Sequence, residues 1–253
     1  MFICIVLTVV MPTDIPPSLP ANRLRDRGED AILASTVLVL RRGQFGPEVL
    51  LLKRNPAANN MASVWMFPGG KVDENDSGCS ELDRFRSAAV RELFEEAGIS
   101  LATSALSGFS HWLTPVGMKR RFATWFFVAE LPDGAMVKVD GEEMVEAQWI
   151  RPADALAEHK AANLRLPPPT VVSLIDLASY HSVDETIDAV QQRVAPYFFP
   201  KVCAENPDDV VMLYPGDAGY EKGDRFSPGV RHRAGWADGI ITYERSFDFP
   251  LRN

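Results

Sequence analysis

The stretch "AAVRELFEEAGISL", residues 88–101, carries the strongest structural signal of the chain. It places Glu92, Glu95 and Glu96 within five positions. On a helix that turns about 100° per residue, Glu96 lies about 40° and Glu95 about −60° from Glu92. Between about 100° and 200° on the same wheel lie the apolar residues Val90, Leu93, Phe94 and Ala97. The sequence therefore predicts a helix with an anionic face opposite an apolar face that packs on a sheet.

The three carboxylates by themselves leave two interpretations open. A solvated acidic face is the usual reason for such a run, because like charges four residues apart cost only roughly a few tenths of a kcal/mol. Carboxylate oxygens are also the hard ligands that suit Mg²⁺ or Mn²⁺. The glycine pair of "FPGG", residues 67–70, allows the backbone to approach a metal or phosphate closely. Arg91 stands directly before Glu92, where it can hold the acid cluster in place, and this context favours a metal site.

Together these residues resemble the Nudix box, Gly-x5-Glu-x7-Arg-Glu-u-x-Glu-Glu-x-Gly-u, where u is aliphatic. Gly70 matches the opening glycine. The closing half is matched without exception by Arg91, Glu92, Leu93, Glu95, Glu96, Gly98 and Ile99. The resemblance implies a Nudix-type α/β/α sandwich with a mixed sheet, and Mg²⁺ or Mn²⁺ as the cofactor.

The spacing inside the box departs from the family pattern. Gly70 and Arg91 are 21 positions apart, which is seven residues more than the pattern has. Counting forward from Gly70 places the family glutamate at Asp76, whereas counting back from Arg91 places it at Asp83. Both aspartates are therefore candidates for pairing with Arg91, and Asp83 is expected on the same helix.

Several stretches are similar to one branch of the superfamily, the peroxisomal-type acyl-CoA diphosphatases and their bacterial relatives. They are "LLLKR", "RFRSAAVRELFEEAGI", "HWLTPVGMKRRFATWFFVAELP", "RLPPPT" and "LYPGDAGYE". A separate CoA-directed signature leading into "FPGG" is matched at Leu50, Leu51, Arg54 and Phe67. Asn59 and Ser63 stand where that signature has an arginine and a glycine, so CoA specificity is suggested and not shown.

The resemblance implies hydrolysis of a diphosphate linked to another moiety. Glu95 and Glu96 would ligate the metal, with the Gly69 carbonyl as a further ligand. Glu92 would ligate the metal or orient the attacking water, and we group Arg91 with these residues as catalytic. An additional base often comes from a later loop in this superfamily, and the acidic run "DGEEMVEAQW" offers Glu142, Glu143 and Glu146. A solvated acidic run explains any one of the three equally well.

Substrate phosphates need cations, and the chain offers two sources. Lys119, Arg120 and Arg121 form a basic segment that is equally well explained as a loop leading into an edge strand. Arg54, at a predicted strand end near the box, is the better candidate, and Gly70 completes the predicted substrate contacts. ADP-ribose, NADH or another nucleotide is the alternative to CoA. A non-catalytic Nudix ligand-binding module would be expected to lack part of the carboxylate set.

Hydrophobic periodicity and turn residues predict the elements around the box. The box helix is expected to begin after the N-cap Ser80 and to end at Ala97, with Gly98 as the left-handed residue that follows. Residues 31–40 and 48–54 read as a β-hairpin. Further helices are predicted in "PADALAEHK", after the prolines of "LRLPPPT" and in "SVDETIDAVQQR", and further strands in "FSHWLTP", "RRFATWFFVAEL", "AQWI", "DVVMLY" and "GIITYER".

The irregular alternation of strands and helices favours an α+β arrangement, with a mixed sheet between helices, over a doubly wound parallel sheet. We expect an N-terminal extension at residues 1–30, a Nudix hydrolase domain at 31–165, and a helical and mixed extension at 166–253 packed on that domain. The apolar run "MFICIVLTVV" is too short to span a bilayer, and Met11 directly after it is a candidate for the true start.

Net charge and cysteine content indicate which kinds of binding partner and cellular location to expect. The net charge of −8 argues against nucleic-acid or membrane-surface binding, which needs a basic footprint. Cys4, Cys79 and Cys203 are odd in number and scattered, so a reducing, cytoplasmic location fits best. The expected partner is therefore a small-molecule nucleotide or CoA substrate. Since dimers are common in the superfamily, a homodimer is a further expectation.

Overall fold

Two β-sheets and the helices that cover them make up the described part of the protein. The structure is a computed structural model that describes residues 31–58, 61–206 and 209–250. The expectations about residues 1–30, Met11, Cys4 and Asn59 therefore lie outside the described residues. The strands of the larger sheet are β1 (Ile32–Gly43), β2 (Gly46–Arg54), β3 (Trp65–Met66), β4 (Gly69–Lys71), β5 (Ser107–Leu113), β6 (Phe122–Glu130), β7 (Met144–Ile150) and β8 (Tyr197–Phe198).

The described chain also contains four α-helices, one short 3-10 helix and a smaller sheet. The helices are α1 (Glu81–Ala97), α2 (Pro152–Lys160), α3 (Pro168–Leu177) and α4 (Val183–Gln192), and a short 3-10 helix spans Thr103–Ala105. The smaller sheet contains β9 (Lys201–Asn206), β10 (Asp209–Leu213), β11 (His232–Ala237) and β12 (Ile240–Arg245), all antiparallel. Of these, β9 and β11 were not anticipated from the sequence.

The larger sheet is mixed and branches along β1. Its continuous order is β3-β2-β1-β6-β5-β8, and β1 runs parallel to β6. The C-terminal end of β1 pairs with β2, from Leu40 onward, whereas its N-terminal part pairs with β4, through Ala34 to Thr36. β2 continues away from β1 and pairs with β7 and β3. The "FPGG" segment therefore lies at the point where one strand leaves β1 and another takes its place.

Alternating side chains of β1 bury both faces of the sheet, as expected for a strand covered on two sides. Val37 and Val39 lie in a core cluster with Leu93 and other residues of α1. Leu38 and Leu40 lie in a second cluster, with residues of α2, α3 and α4. This arrangement confirms the predicted α/β/α sandwich with a mixed sheet.

The limits of α1 agree with the prediction made from its capping residues. The Ser80 hydroxyl accepts a hydrogen bond from the Asp83 backbone N–H, and the Asp83 carboxylate accepts one from the Ser80 backbone N–H. Gly98 ends the helix in the left-handed region, at φ 68°. The predicted N-cap, last residue and terminal glycine are thus all confirmed.

The predicted orientation of α1 is wrong in one respect. Phe94, assigned to the packed face, is 58% exposed, whereas Glu96, assigned to the anionic face, is only 4% exposed. The buried residues of the helix are Phe85, Ala88, Ala89, Leu93, Glu96 and Ala97. The packed stripe therefore includes Glu96, because the helix lies against the glycines of β4, which leave room for a carboxylate.

The segment after residue 165 packs into the same core as the segment before it. β8 extends the larger sheet by pairing with β5, and Val171, Tyr214 and Ile241 share a core cluster with Leu38. The division at residue 165 stays a prediction about domains. Within residues 31–58, 61–206 and 209–250, no helix has both the length and the apolar character that crossing a membrane requires.

Candidate active site

Gly69 brings the backbone of β4 against the carboxylate of Glu96. Its backbone N–H donates to Glu96 Oε2 at 2.8 Å. Gly69 is paired with Thr36, and the adjacent hydrogen bond runs from the Val37 N–H to the Pro68 carbonyl at 2.9 Å. In an antiparallel ladder this register turns both polar groups of Gly69 away from β1. The Gly69 carbonyl and the Glu96 carboxylate therefore lie along the same edge.

Gly70 makes room for Glu92. A Cβ atom at Gly70 would overlap the carboxylate group of Glu92. A Cβ atom at Gly69 would overlap the Ser35 carbonyl oxygen. Only glycine allows this approach, so the "GG" pair presses the backbone of β4 against two of the three predicted carboxylates. A substrate contact of Gly70 stays a prediction.

Arg91 connects the box helix to the loop that precedes it. Its Nε and Nη2 donate to the two carboxylate oxygens of Asp76 at 3.0 and 2.9 Å. Nη1 donates to Glu92 Oε1 at 2.9 Å and to Glu95 Oε2 at 3.0 Å. Nη2 also donates to the Lys71 carbonyl at 2.9 Å. Arg91 is thus placed to orient two of the carboxylates and the end of β4.

The arginine's partner is Asp76, the residue reached by counting forward from Gly70. Asp76 is 5% exposed, and burial by itself would raise its pKa. The hydrogen bonds from Arg91 and from the Asp73 N–H, with the charges of Arg91 and Arg84, together hold the pKa of Asp76 below its usual value. The alternative pairing of Arg91 with Asp83 is wrong. Asp83 caps α1 and pairs with Arg86 at 3.3 Å, and eight helical residues put it about 12 Å from Arg91 along the axis.

The inserted residues are attached to α1 at further points. The Arg84 Nε donates to the Asp76 carbonyl at 3.1 Å, and the Ser87 hydroxyl donates to the Ser77 carbonyl at 2.7 Å. The Asp73 N–H donates to Asp76 Oδ2 at 2.7 Å. The longer loop therefore folds back on the helix and leaves the approach of β4 to Glu92 and Glu96 intact.

Glu96 is the buried carboxylate of the box helix, and within the described residues no cationic side chain pairs with it. Burial raises the pKa of Glu96 to about 8, the charges of Glu92, Glu143 and Asp140 act in the same direction, and the Gly69 hydrogen bond opposes them. Burial also raises the pKa of Glu92, although Arg91 opposes it. A cation beside Glu96 would relieve this repulsion, and the network of Arg91 stops at Glu92 and Glu95.

The donor set fits a hard divalent cation that keeps part of its water shell. No group of three His, Cys, Asp or Glu side chains in the described ranges is arranged to hold a metal by itself. Mg²⁺ is typically held by only one or two carboxylates, with waters and substrate phosphates completing the shell. Glu96 and Glu92, with the Gly69 carbonyl beside them and the exposed Glu95 at the rim, match that requirement.

The three candidate bases occupy different places. Glu146 on β7 pairs with Lys53 at 2.9 Å. Glu143 lies where its negative charge contributes to the raised pKa of both Glu92 and Glu96. Glu143 is therefore the candidate whose charge acts on the carboxylates of α1, whereas Glu142 precedes it in the same exposed segment. Sequence reasoning missed Asp140, whose charge also acts on Glu96, although the Asp-Gly pair at 140–141 is a turn signal.

The arginines proposed to bind the substrate phosphates lie in different surroundings. Arg54 ends β2, and its Nε is buried without a hydrogen-bond partner. Arg121 Nε donates to the Thr114 carbonyl at 3.2 Å, and its guanidinium lies 5.9 Å from the centre of the Phe199 ring. Arg120 is exposed. Arg54 thus has donor capacity to offer a ligand, whereas Arg121 already contacts its own loop.

Residues 32–170, more than half of the chain, match the family model described as the NUDIX domain. The chain belongs to the Nudix family. It is 32% identical over 209 residues to a Caenorhabditis elegans protein named "Putative nudix hydrolase 7", covering 68% of this chain and 69% of the relative. It is 24% identical over 268 residues to "Acyl-coenzyme A diphosphatase NUDT19" of Xenopus laevis, covering 67% of this chain and 70% of the relative.

A solved structure agrees with the fold. The NUDIX hydrolase of Alicyclobacillus acidocaldarius superposes with a TM-score of 0.58 at 21% identity, covering 63% of this chain and 96% of that protein. Nudix hydrolases act on diphosphate linkages of small nucleotide-type substrates and generally use divalent metal ions. This Nudix protein is accordingly a hydrolase of diphosphate bonds.

Proposed function

We propose that this Nudix hydrolase cleaves the diphosphate of CoA or an acyl-CoA, using Mg²⁺ or Mn²⁺. Water adds to one phosphorus, the bridging P–O bond breaks, and the products are 3′,5′-ADP and phosphopantetheine or its acylated form. The observation that carries the chemistry is the pair Glu92 and Glu96, pressed against Gly69 and Gly70 at the branch of the sheet. The relatives named as acyl-CoA diphosphatases support the choice of substrate.

Each residue has a chemical task in this proposal. Glu96, Glu95 and the Gly69 carbonyl would hold the metal, and Glu92 would ligate it or orient the attacking water. The bound cation supplies charge neutralisation on the diphosphate and makes a bound water more acidic. Arg91 fixes the directions of Glu92 and Glu95 through its hydrogen bonds. Glu143 faces this cluster and accepts the proton of the attacking water.

Arg54 is the proposed phosphate contact. Its Nε has no hydrogen-bond partner, and an unpaired guanidinium donor gains by binding an anionic oxygen. Arg120 and Arg121 are proposed to contact more distant substrate phosphates from the loop between β5 and β6. A contact of Arg121 would have to compete with its hydrogen bond to Thr114.

Two further observations support the proposed location and partner class. Cys79 and Cys203 are free thiols, in keeping with the proposed cytoplasmic location. The acidic net charge is consistent with a small-molecule substrate and with the absence of a nucleic-acid partner. The homodimer stays a prediction.

Product analysis by mass spectrometry tests the proposal. The protein is incubated separately with CoA, an acyl-CoA, ADP-ribose and NADH, with Mg²⁺ or Mn²⁺, beside a Glu96→Gln control. Formation of 3′,5′-ADP and a phosphopantetheine product, lost in the control, supports the CoA assignment. Cleavage of ADP-ribose or NADH alone would keep the chemistry and overturn the substrate. No turnover with metal bound would favour a different substrate or the ligand-binding module.

A further inference from the structure

The loop between β6 and β7, residues 131–143, carries Glu143 and is attached to the end of α1. The Lys138 N–H donates to the Ala97 carbonyl at 2.8 Å, immediately after Glu96 in the chain. At the other end, Met144 is fully buried in the core cluster that contains Leu93. The loop is thus attached to the box helix on one side of Glu143 and to the core on the other.

The carboxylate of Asp140 binds the backbone N–H groups that follow it. Its Oδ1 accepts from the Glu142 N–H at 2.5 Å and from the Glu143 N–H at 2.6 Å. Its Oδ2 accepts from the Met144 N–H at 3.2 Å. Gly141 allows this tight turn, because it adopts φ 79° while its own N–H donates to the Met144 carbonyl at 2.9 Å.

Asn55 binds the carbonyl side of the same peptides. Its side-chain Nδ2 donates to the Glu142 carbonyl at 2.7 Å, and its backbone N–H donates to the Glu143 carbonyl at 2.9 Å. The Asn55 side chain is itself oriented, since its Oδ1 accepts from the Ala57 N–H at 2.8 Å. Asn55 directly follows Arg54, so the proposed phosphate contact and the residue that binds the loop are neighbours at the end of β2.

We propose that Asp140 and Asn55 are positioning residues that clamp the Glu142–Glu143 segment from both sides and hold the Glu143 carboxylate toward Glu92 and Glu96. The N–H groups of the segment are bound by Asp140 and its carbonyls by Asn55. Both peptides are therefore held by the Asp140 side chain, which lies in the same loop, and by the side chain and backbone of Asn55, which directly follows β2. The inference rests on the proposed function, because Glu143 has a catalytic task only there.

The number of backbone groups that Asp140 binds distinguishes a clamp from an ordinary turn. Its carboxylate accepts from three successive N–H groups, those of Glu142, Glu143 and Met144. The segment is exposed, and water would satisfy its peptide groups at little cost. A neutral asparagine or serine would cap the turn about as well as an aspartate. Asp140 instead adds to the negative charge around Glu96. The clamp depends on the acceptor oxygens of Asp140 and not on this charge, so a neutral acceptor at position 140 should preserve the geometry of the Glu142–Glu143 segment.

Kinetics of four variants test the clamp: Asp140→Ala, Asp140→Asn, Glu143→Gln and the double variant Asp140→Ala/Glu143→Gln. Asp140→Ala should lower kcat about tenfold or more and leave KM within about twofold, because proton transfer and not substrate binding is affected. Asp140→Asn keeps an acceptor oxygen and should recover most of kcat. Asp133→Asn, an exposed change in the same loop, is the matched control.

The double variant decides whether Asp140 acts through Glu143. If it does, the double variant is no slower than Glu143→Gln alone, because the positioned group is already gone. Independent, multiplicative losses would overturn the proposal. A fully active Glu143→Gln would also overturn it, and would remove Glu143 as the base while leaving the hydrolase assignment standing.

Hydrogen exchange supplies a readout that needs no substrate. Peptides covering residues 140–146 should exchange faster in Asp140→Ala and in Asn55→Ala than in the wild type, and at the wild-type rate in Asp133→Asn. Unchanged exchange in Asp140→Ala would show that no clamp exists, whatever the activity. Conversely, a wild type that hydrolyses none of the four substrates removes the proposed function and, with it, the catalytic meaning of the clamp.

Discussion

Arg91 and Asp76 form a bidentate ion pair that joins the box helix to the loop lengthened by seven residues. The guanidinium donates to both carboxylate oxygens, at 3.0 and 2.9 Å, and Asp76 is almost completely buried. Parallel hydrogen bonds of this kind combine strength with directional control. The pair therefore fixes the rotamer of Arg91, which in turn donates to Glu92 and Glu95.

Replacement of Asp76 should affect stability and catalysis together. Asp76→Ala leaves the half-buried Arg91 without its main partner, and we expect a loss of about 1–3 kcal/mol in the free energy of unfolding. We also expect kcat to fall, because Arg91 no longer orients Glu92. Urea unfolding and steady-state kinetics measure the two effects.

Asp83→Ala is the matched control for that substitution. It removes the Asp83 carboxylate from the capping box of α1 and should cost up to about 1 kcal/mol, but it leaves Arg91 in place and should preserve kcat. Equal kinetic losses in the two variants would mean that the Asp76–Arg91 pair has no special role in orienting the carboxylates.

Glu96 should make the metal-free protein less stable as the pH rises. Its pKa is raised from the ordinary 4.5 to about 8, mainly by burial, so the native state binds more protons than the unfolded state between these values. Stability contributed by this site is then greatest below pH 4.5 and falls through the window up to pH 8, by at most about 1.4 kcal/mol per pH unit.

The Glu96→Gln variant isolates this contribution. Thermal unfolding in EDTA from pH 5 to 8 should show a shallower decline for the variant than for the wild type. Added Mg²⁺ or Mn²⁺ should restore the wild type at the upper end, because a cation binds the ionised carboxylate. Parallel pH profiles in EDTA would contradict the assignment of a buried, unpaired charge to Glu96.

A side chain at Gly70 should force the Glu92 carboxylate to move, because an added Cβ atom would overlap that carboxylate. Gly70→Ala displaces Glu92, and we expect kcat to fall at least about tenfold with a smaller change in KM. Gly235→Ala is a suitable control on the second sheet, where the added Cβ would meet Thr242 Oγ1, a side-chain atom that can move. An active Gly70→Ala enzyme would show that the position of Glu92 is not critical.

The sequence predicted local features well and relative positions less well. Ser80 and Gly98 set the ends of α1 through short-range hydrogen bonds and a left-handed backbone, which a sequence displays directly. The burial of Glu96 depends on the missing side chains of Gly69 and Gly70 across the sheet, which a helical wheel cannot show. For that reason the two faces of the helix were misassigned, as the exposed Phe94 demonstrates.

Contacts between residues that are distant in the chain could not be predicted from the sequence either. The choice between Asp76 and Asp83 required the path of the inserted loop, and spacing alone left both open. Asn55 reaches a loop that lies 87 residues further along the chain, and an Asn-Pro pair in a sequence signals only a turn. Polar contacts between loops are set by the packing of the elements that carry them, so they became visible only in the folded chain.

Arg54 should contribute to substrate binding and little to folding. Its Nε has no partner in the protein, so Arg54→Ala removes no hydrogen bond of that atom and should change the free energy of unfolding by less than about 1 kcal/mol. The KM for CoA should rise about tenfold or more, as expected when a charged contact to a phosphate is lost. Arg42→Ala is the control, because Arg42 is an exposed arginine that pairs with Glu130 and Asp184. A similar KM in both variants would place the phosphate contact elsewhere, whereas a rise confined to Arg54→Ala would assign the C-terminal end of β2 to the substrate.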